Sequence, residues 1–414
     1  MITVPLTLRG YFRGESAEKL NIAHYLFFLY WLMKPFYFGP SGNMQPADFV
    51  FVISFVAWVT TRKFSIVVDR KDFSLALFLL CVMIINGIYY AIYRDTGFLM
   101  TIAYYVYCFL VVLVVRDFMQ SKRFLRGLMW ASAFNLIVQL GVLMLGLGNY
   151  MWRGFRFMGT FNDPNQYAFS MLTSFLLVFI LSSYLKEIEK NRKKVLVLLA
   201  YGLAAFFIVQ GGSTGMLLGI GVFSMMFLLT VLYSERTPAF QFLKVLAFLA
   251  VILVFVLIMT QGMNVDAIDT SASSGSFLFF RLFQKAELVE TGGAMGLFED
   301  RAIDKLFKYP IYLFFGSGEG AHNRFPGPGY EVHSTFPGIL FYYGVIPFLI
   351  LLRWLKGNLR NVSRILIPVY VALFIESLTL AHQRQPAFWM ILMLGSLEYE
   401  CPKALRKYRI MTTL

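Results

Sequence analysis

Residues 73–92 read FSLALFLLCVMIINGIYYAI, and residues 97–115, after a four-residue break, read GFLMTIAYYVYCFLVVLVV. Neither stretch contains a charged residue. Each is close to the roughly 20 apolar residues that a helix needs to cross the hydrocarbon core of a bilayer. Because lipid offers no hydrogen-bond partners to the backbone, such a segment must satisfy its own amide and carbonyl groups. Both stretches are therefore predicted to be membrane-spanning α-helices.

The rest of the chain repeats this pattern on both sides of these two segments. Apolar residues make up 58% of the sequence and charged residues only 14%, which is not the balance of an ordinary soluble domain. Further candidate spans lie near residues 22–40, 47–61, 126–149, 166–185, 195–210, 213–233, 243–261, 335–352, 365–381 and 385–398. We therefore predict an all-α polytopic membrane protein, a single integral membrane domain over residues 1–414, with about 12 transmembrane helices.

The distribution of lysine and arginine predicts the orientation of these helices. With the N-terminus inside, 26 of the 37 basic residues fall on the cytoplasmic side, so both termini are predicted to be cytoplasmic. The net charge of +14 is then mostly a topology signal. It is spread over short loops rather than gathered on one face, which argues against nucleic acid as a partner. The N-terminus lacks the pattern of a cleaved signal peptide.

The sequence offers no pattern for a metal or a nucleotide. Its cysteines are Cys81, Cys108 and Cys401, and none lies in the longest loop. No Cys/His cluster has the spacing of metal ligands, and no glycine-rich loop is followed by Lys-Ser or Lys-Thr. We predict neither a metal nor a cofactor, ATP included.

One polar break, residues 262–334, is far longer than the others and is predicted to be a large loop on the outer side of the membrane, which the family resemblance described below would make periplasmic. Residues 276–290 and 299–308 within it are typical of short amphipathic helices lying in the membrane interface. They would place Arg281 and Arg301 at headgroup depth, where the alternative role is simple anchoring. Further along, Gly316, Gly318 and Gly320 surround Glu319 and permit tight turns.

The same loop ends in Glu331-Val332-His333-Ser334, immediately before an apolar segment. A histidine at a helix start near the water–lipid boundary is well placed to accept a proton near neutral pH. The alternative is an interfacial histidine satisfied by water or by the backbone.

A second outer loop, residues 150–165, carries Arg153 and Arg156 just before Asn162-Asp163-Pro164-Asn165. Asp163 or Asn162 is predicted to start the following helix, and helix starts also favour anions. The two arginines either form a cationic lip on the same side as His333 or anchor a capped helix.

Two further charged residues lie in or near the last spans. Glu376 falls inside the eleventh segment, where an uncompensated carboxylate is costly. Arg384 lies on the outer side and either pairs with Glu376 or meets a substrate phosphate.

Together these motifs resemble the superfamily of O-antigen ligases and Wzy-type O-antigen polymerases, over roughly residues 150–400. His333, a serine, nine residues and Gly344 resemble the family's histidine motif, whereas His322 lacks a glycine at that spacing. Arg301, an amphipathic turn, Pro310 and Gly316-Ser317-Gly318 resemble its arginine, helix, proline and Gly-x-Gly run. Residues 156–165 resemble its Arg/Gly/Pro-Asn loop.

This resemblance implies a bacterial inner-membrane glycosyltransferase of the GT-C type, with a periplasmic site and an undecaprenyl-diphosphate-linked oligosaccharide as donor. It implies no metal, and inversion in one displacement if no covalent intermediate forms. His333 would be the base and Arg301 its catalytic partner. The expected partners are that lipid-linked substrate, the lipid bilayer, and chain-length regulator and flippase proteins. The residues expected to bind diphosphate or glycan are Arg153, Arg156, Arg281, Arg384, Glu319, Asp163 and Asn165.

Three activities fit the pattern. The first is a polymerase that joins repeat units into O-antigen, capsule or exopolysaccharide, and the second is a ligase that transfers finished glycan to lipid A-core. Many members of the superfamily, ligases among them, carry Ser/Thr-Arg-Gly/Ala at the start of the eighth span, where this chain has Gly212-Ser213-Thr214-Gly215, and this difference favours the polymerase. The third is a lipid-linked oligosaccharide flippase, for which repeat symmetry and mid-membrane polar sites are expected.

Overall fold

The fold was analysed in a computed structural model. It describes residues 19–39, 44–64, 68–151, 156–185, 190–234, 290–325 apart from 291, 294 and 297, and 331–397. The predicted span at 243–261 lies outside the described residues, as does the predicted interfacial helix at 276–290 except for residue 290.

The described chain is mostly helical. Its longer helices are α1 (Ile22–Met33), α2 (Pro46–Thr61), α3 (Phe73–Tyr93), α4 (Gly97–Phe118), α5 (Lys122–Met144), α6 (Pro164–Tyr184), α7 (Lys190–Gly211) and α8 (Thr214–Ser234). After two one-turn helices, α9 (Lys305–Lys308) and α10 (Tyr312–Phe315), come α11 (Thr335–Tyr343), α12 (Val345–Leu359), α13 (Ile367–Ser377) and α14 (Pro386–Leu394). A helix lies at each predicted segment inside the described residues. Five of these helices, α3 to α7, are long and apolar enough to cross a membrane.

Helix α6 is the most buried of these five helices. In its most apolar 18-residue window, 83% of the residues are buried, against 22% for α3. It packs against α5, α7, α8 and α14. The exposed side of α3 is itself apolar, with Ile84, Ile88 and Ile92 all more than half exposed. An apolar outer surface is the expected pattern for helices that face lipid.

The start of α6 follows the sequence prediction. Asp163 is the N-cap, and its side chain accepts hydrogen bonds from the backbone N–H groups of Asn165 and Gln166 at 2.9 and 2.8 Å. Pro164 occupies the first helical position, where a missing N–H costs nothing. The predicted capping role of Asp163 is confirmed.

The outer loop at 150–165 contains a feature that the all-α prediction did not include. Strands β1 (Asn149–Met151) and β2 (Arg156–Gly159) pair antiparallel, with Tyr150 opposite Phe157. All four residues of β2 are buried. The Phe157 ring packs edge-on against Tyr167 of α6 at 5.4 Å. Burial of both faces of β2 therefore makes a strand where the sequence favoured a loop.

The predicted span at 335–352 is two helices rather than one. Gly344 lies between α11 and α12 with φ of +79°, and its N–H bonds to the Leu340 carbonyl. A Cβ at this position would lie 2.5 Å from the carbonyl oxygen of Phe314. The close approach of α10 thus requires glycine, and the chain breaks there.

The predicted amphipathic helix at 299–308 is likewise not continuous. Residues 301–304 form a turn in which Ala302 has φ of +53°, and only Lys305–Lys308 is helical beyond it. The turn lets the backbone of Arg301 leave the helix and meet another segment.

Candidate functional site

His333 and Arg301 are joined through their backbones. The His333 N–H donates to the Arg301 carbonyl at 2.9 Å. The Arg301 side chain contacts Asp300, with Nε 3.2 Å from Oδ2, and its Nη1 donates to the carbonyl of Thr379. The two residues with predicted catalytic roles are therefore neighbours, although 31 positions separate them in the sequence.

The start of α11 is tied to the loop between α13 and α14. Thr335 Oγ1 donates to the Leu380 carbonyl at 2.8 Å and accepts from the backbone N–H of His382 at 2.9 Å. Ser334 is the N-cap residue and is fully buried. His333 thus lies two positions before a helix start, as the sequence predicted. The loop between α13 and α14 holds that helix start in place.

Arg384 lies in that same loop and joins two carboxylates. Its Nη2 lies 2.7 Å from Glu319 Oε1 and 2.9 Å from Glu331 Oε2. Its Nε also donates to Glu319 Oε1 at 3.0 Å. The Glu319 side chain has no exposed surface. A buried carboxylate is tolerated when it is paired and fully hydrogen-bonded, and Arg384 supplies that pairing.

Other groups complete the shell around Glu319. Gln383 Nε2 donates to Oε1 at 3.0 Å, and the Tyr343 hydroxyl donates to Oε2 at 2.8 Å. The Glu319 backbone N–H donates to Asn86 Oδ1 at 2.8 Å. Gly318, with φ of +67°, brings the backbone against the ring of Tyr89, where a Cβ would approach to 2.8 Å. The glycine turn therefore positions a buried carboxylate.

The electrostatics of the group favour a neutral His333. Burial lowers its pKa below the usual 6.5, Glu331 opposes this shift, and Arg301 adds to it. Burial would by itself raise the pKa of Glu331, but Arg384 and His322 outweigh burial and hold that pKa below its ordinary value. At neutral pH, His333 is thus an uncharged imidazole beside an ionised carboxylate.

Glu376 does not pair with Arg384. Instead its Oε1 lies 2.6 Å from His382 Nε2, and both side chains are buried. The His382 ring stacks on Phe169 of α6 with centroids 3.7 Å apart. Glu376 Oε2 has no hydrogen-bond partner among the described residues. The predicted pairing of Arg384 with Glu376 is therefore wrong. The loop instead turns Arg384 towards Glu319 and Glu331.

Arg156, Asp163 and Asn165 form a second group, at the start of α6. Arg156 is 3% exposed, and its Nε donates to the Gly211 carbonyl at 2.8 Å. Its Nη2 donates to Asn165 Oδ1 at 3.0 Å. Arg156 thereby links β2, α6 and the turn before α8. Predicted site residues Arg153 and Arg281 lie outside the described residues.

The first turn of α8 connects the two groups. A Cβ at Gly215 would lie 2.1 Å from Thr379 Oγ1, so this turn packs directly on Thr379. The carbonyl of Thr379 in turn accepts a hydrogen bond from Arg301. Gly211, at the preceding turn, accepts from Arg156. The two groups are thus neighbours across the α7–α8 turn.

No protein-family model matches the sequence, and no curated protein matches it significantly.

Sequence reasoning missed three residues at the site. Glu331 and His322 face each other, with His322 Nε2 3.7 Å from Glu331 Oε2. Arg324 donates through Nη2 to the carbonyls of Ser317 and Gly318. Its guanidinium carbon lies about 5 Å from the ring centroids of Tyr89, Tyr93, Phe98 and Phe325. The acidic Glu331 lies two positions before His333, so the sequence contained a signal for its place at the site. The rings around Arg324 come from segments over 200 positions apart, so no local pattern indicated them.

His333 and Arg301 together can combine proton transfer with the binding of a negative charge. The uncharged His333 accepts protons near neutral pH, and Arg301 offers charge to an anion beside it. Among the described residues, no group of three or more His, Cys, Asp or Glu side chains is placed to hold a metal ion.

Proposed function

We propose that this protein is a GT-C-type glycosyltransferase of the bacterial inner membrane, with about 12 spans and a periplasmic active site. It polymerises undecaprenyl-diphosphate-linked repeat units into O-antigen, capsule or exopolysaccharide. The observation that carries this proposal is the contact between His333 and Arg301 at the start of α11, with the imidazole kept neutral by burial.

The position of the charged groups supports an enzyme rather than a flippase. The segments that carry Arg301, Glu319, Glu331, His333 and Arg384 all lie between helices, at the outer side in the predicted orientation. A transporter places its polar site near the bilayer midplane between repeats. Catalysis on a lipid-linked sugar needs the reactive groups at headgroup depth instead.

The proposed reaction is a single displacement at the anomeric carbon of the donor. The acceptor hydroxyl oxygen forms a bond to that carbon while the bond from the carbon to the diphosphate oxygen breaks. His333 takes the hydroxyl proton, and undecaprenyl diphosphate leaves with the electron pair. A guanidinium at the diphosphate stabilises the negative charge that grows on the leaving oxygen.

The structure suggests different tasks for the two arginines beside His333. Glu319 and Glu331 balance the charge of Arg384, and this ion-pair set orders the loop that holds His333. Arg301 adjoins His333 directly, and its ion pair with Asp300 is partly exposed to solvent rather than buried. We therefore assign the diphosphate contact first to Arg301 and a positioning role to Arg384.

One observation favours the ligase as a second candidate. The Arg156 guanidinium lies at the Gly211 carbonyl, three positions before α8 begins. Many ligases carry an arginine at the start of that span. The Arg156 side chain, from β2, therefore supplies a positive charge near the start of α8, where the sequence of this chain has no arginine.

The test is the length of the surface glycan in the native host, compared between wild type and His333→Ala at equal protein levels. The polymerase proposal predicts that single repeat units remain on an otherwise normal acceptor, with a loss of elongation of about 100-fold or more, as for removal of a general base. Long chains that stay on the lipid carrier would identify a ligase. An unchanged ladder would remove His333 from catalysis and favour a flippase. His24→Gln is the matched control, because His24 is a buried histidine of the capping box at the start of α1, which in the predicted orientation is the cytoplasmic end.

A further inference from the structure

A separate cleft lies at the predicted outer ends of α1, α5, α6 and α14. Its cavity volume is about 40 Å³, within about 480 Å³ of empty space that includes its open mouth. None of His333, Arg301, Glu319 and Arg384 lines it. It extends along α6 from Gln166 to Ser174, which at 1.5 Å per residue is a depth of about 12 Å. The inner part of the cleft thus has room for the hydroxyl edge of a ligand, and the open mouth has room for the rest of it.

The cleft has little net charge. Lys34 is its one charged residue among those described, and Lys34 Nζ lies 2.7 Å from Asp48 Oδ1. The Tyr107 hydroxyl donates to the same oxygen at 2.7 Å, and the Gln45 N–H donates to Oδ2 at 2.8 Å. Because Asp48 neutralises Lys34, the cleft is poorly suited to a phosphate.

Amides and hydroxyls supply its polar surface. Gln166 Oε1 is buried and has no hydrogen-bond partner among the described residues. An unpaired buried acceptor costs free energy, which a ligand hydroxyl would recover by donating to it. Ser170, one turn further along α6, and Gln385, at the start of α14, also line the cleft. Polar side chains at this depth of a membrane helix are expected to face water or a polar ligand rather than lipid.

Aromatic rings supply the apolar surface. Trp31 and Tyr37 line the cleft from the α1 side, and Phe161 and Phe169 from the α6 side. The Tyr37 and Phe161 rings pack together at 5.0 Å. Apolar walls with a few convergent polar groups are the usual make-up of a small-molecule site. Rings combined with uncharged amides and hydroxyls match a sugar, which has apolar C–H faces and a rim of hydroxyls.

The cleft shares a wall with the site at His333. Phe169 lines the cleft and stacks on His382, 3.7 Å away, in the loop that holds the start of α11. Gln385 directly follows Arg384. Gln166 directly follows Asn165, which accepts from Arg156. A sugar in the cleft would therefore lie beside both charged groups without contacting their carboxylates.

We propose that this cleft binds the uncharged saccharide of the acceptor substrate, while the diphosphate of the donor is held at Arg301. The proposal rests on the glycosyltransferase function proposed above. It assigns Gln166, Ser170 and Gln385 as acceptor-binding residues that contact sugar hydroxyls.

The test is protection of an introduced cysteine in purified full-length protein in lipid nanodiscs. Ser170→Cys is labelled with a water-soluble maleimide, with wild-type labelling subtracted for the native cysteines. The probe is the oligosaccharide released by mild acid from lipid-linked repeat units of the native host. At a concentration about ten times the Kd, labelling of Cys at this position is expected to slow about tenfold. Thr96→Cys, exposed at the start of α4 and remote from the cleft, is the control and is expected to label at an unchanged rate.

Two companion variants keep the result decisive. Gln166→Leu in the Ser170→Cys background is expected to remove most of the protection. If Ser170→Cys folds poorly, Gln385→Cys on the opposite wall is expected to show the same protection by the saccharide. Equal protection by undecaprenyl phosphate would overturn the proposal in favour of a lipid headgroup site. Absence of protection at both cysteines would also overturn it.

Failure of the cleft and failure of the enzyme are distinguishable. His333→Ala is expected to retain full protection, because binding does not need the base. Protection together with an unchanged glycan ladder in His333→Ala would leave the saccharide site standing and reject the proposed catalytic role. Loss of the ladder in His333→Ala, without protection of the introduced cysteine by the saccharide, would support the catalytic role of His333 and reject the saccharide site.

Discussion

His333 illustrates how one side chain acquires its chemistry from its surroundings. A free imidazole is about one-quarter protonated at pH 7 on the basis of its ordinary pKa. In this protein, burial lowers that pKa, and the ionised Glu331 limits the shift without reversing it. His333 is therefore poised as an acceptor of protons across the neutral range, which a general base requires.

This pKa predicts the acidic limb of the pH–rate profile. Activity depends on the neutral imidazole, so it is lost as the pH falls through the folded-state pKa of His333, which lies below 6.5. The glycosyl-transfer rate measured in vitro should thus be half-maximal at a pH below 6.5. Glu331 raises this pKa, so Glu331→Gln should move the acidic limb to lower pH. A limb above pH 6.5, or one that Glu331→Gln moves upwards, would contradict the assignment of His333 as the base.

At the scale of the element, the break between α11 and α12 shows why glycine occupies one position of an apolar run. Gly316 and Gly344 lie against each other, since a Cβ on Gly344 would be 3.1 Å from the Gly316 amide nitrogen. The N–H groups of Ser317 and Gly318 then donate to the carbonyls of Phe341 and Tyr342. The end of α11 thus supports the turn that carries Glu319 into the site.

Gly344→Ala tests this element. With φ of +79° and a Cβ position 2.5 Å from the Phe314 carbonyl, the substitution is expected to destabilise the protein by about 1–3 kcal/mol or more. It should also displace Glu319 and lower activity. Thermal unfolding in detergent and the glycosyl-transfer rate are the measurements.

Gly357→Ala is the matched control. It lies within α12, where an added Cβ meets nothing within 4 Å. Replacing a helical glycine by alanine there should be neutral or stabilise by up to about 1 kcal/mol. Equal effects of the two substitutions would show that the close approach at Gly344 does not matter.

At the scale of the whole molecule, buried polar groups hold the helices together at both ends. The end that is predicted to be the outer one has the group around Glu319. At the other end, Arg116 of α4 donates to Asp72 Oδ1 and Oδ2 at 2.8 and 2.9 Å. It also donates to Asn358 of α12 and Ser396 after α14 at 2.7 and 2.5 Å. One guanidinium therefore connects four chain segments.

Arg116→Ala is expected to be strongly destabilising, by about 3–5 kcal/mol, because it leaves the fully buried Asp72 without a counter-charge. The measurement is thermal or denaturant unfolding of the purified protein. Arg62→Ala is the control, since Arg62 pairs with Asp117 while 39% of its side chain is exposed. Loss of an exposed pair should cost under about 1 kcal/mol. Comparable losses for the two variants would mean that burial does not govern the strength of these pairs.

The sequence by itself determined the helical class and the location of most helices, because a long uncharged segment has few ways to satisfy its backbone in lipid. It also identified the N-cap at Asp163 and the position of His333 at a helix start, since both are local patterns. The group around Arg301 and Glu319 was predicted as separate pieces along the outer loop.

Only the tertiary structure decided which of these pieces meet. Arg384 joins Glu319 and Glu331 rather than Glu376, which pairs with His382. The β1–β2 hairpin, the break at Gly344 and the cleft beside Phe169 likewise depend on contacts between distant segments. Charge pairing in a low-dielectric interior depends on distance in space, and a sequence gives only separation along the chain.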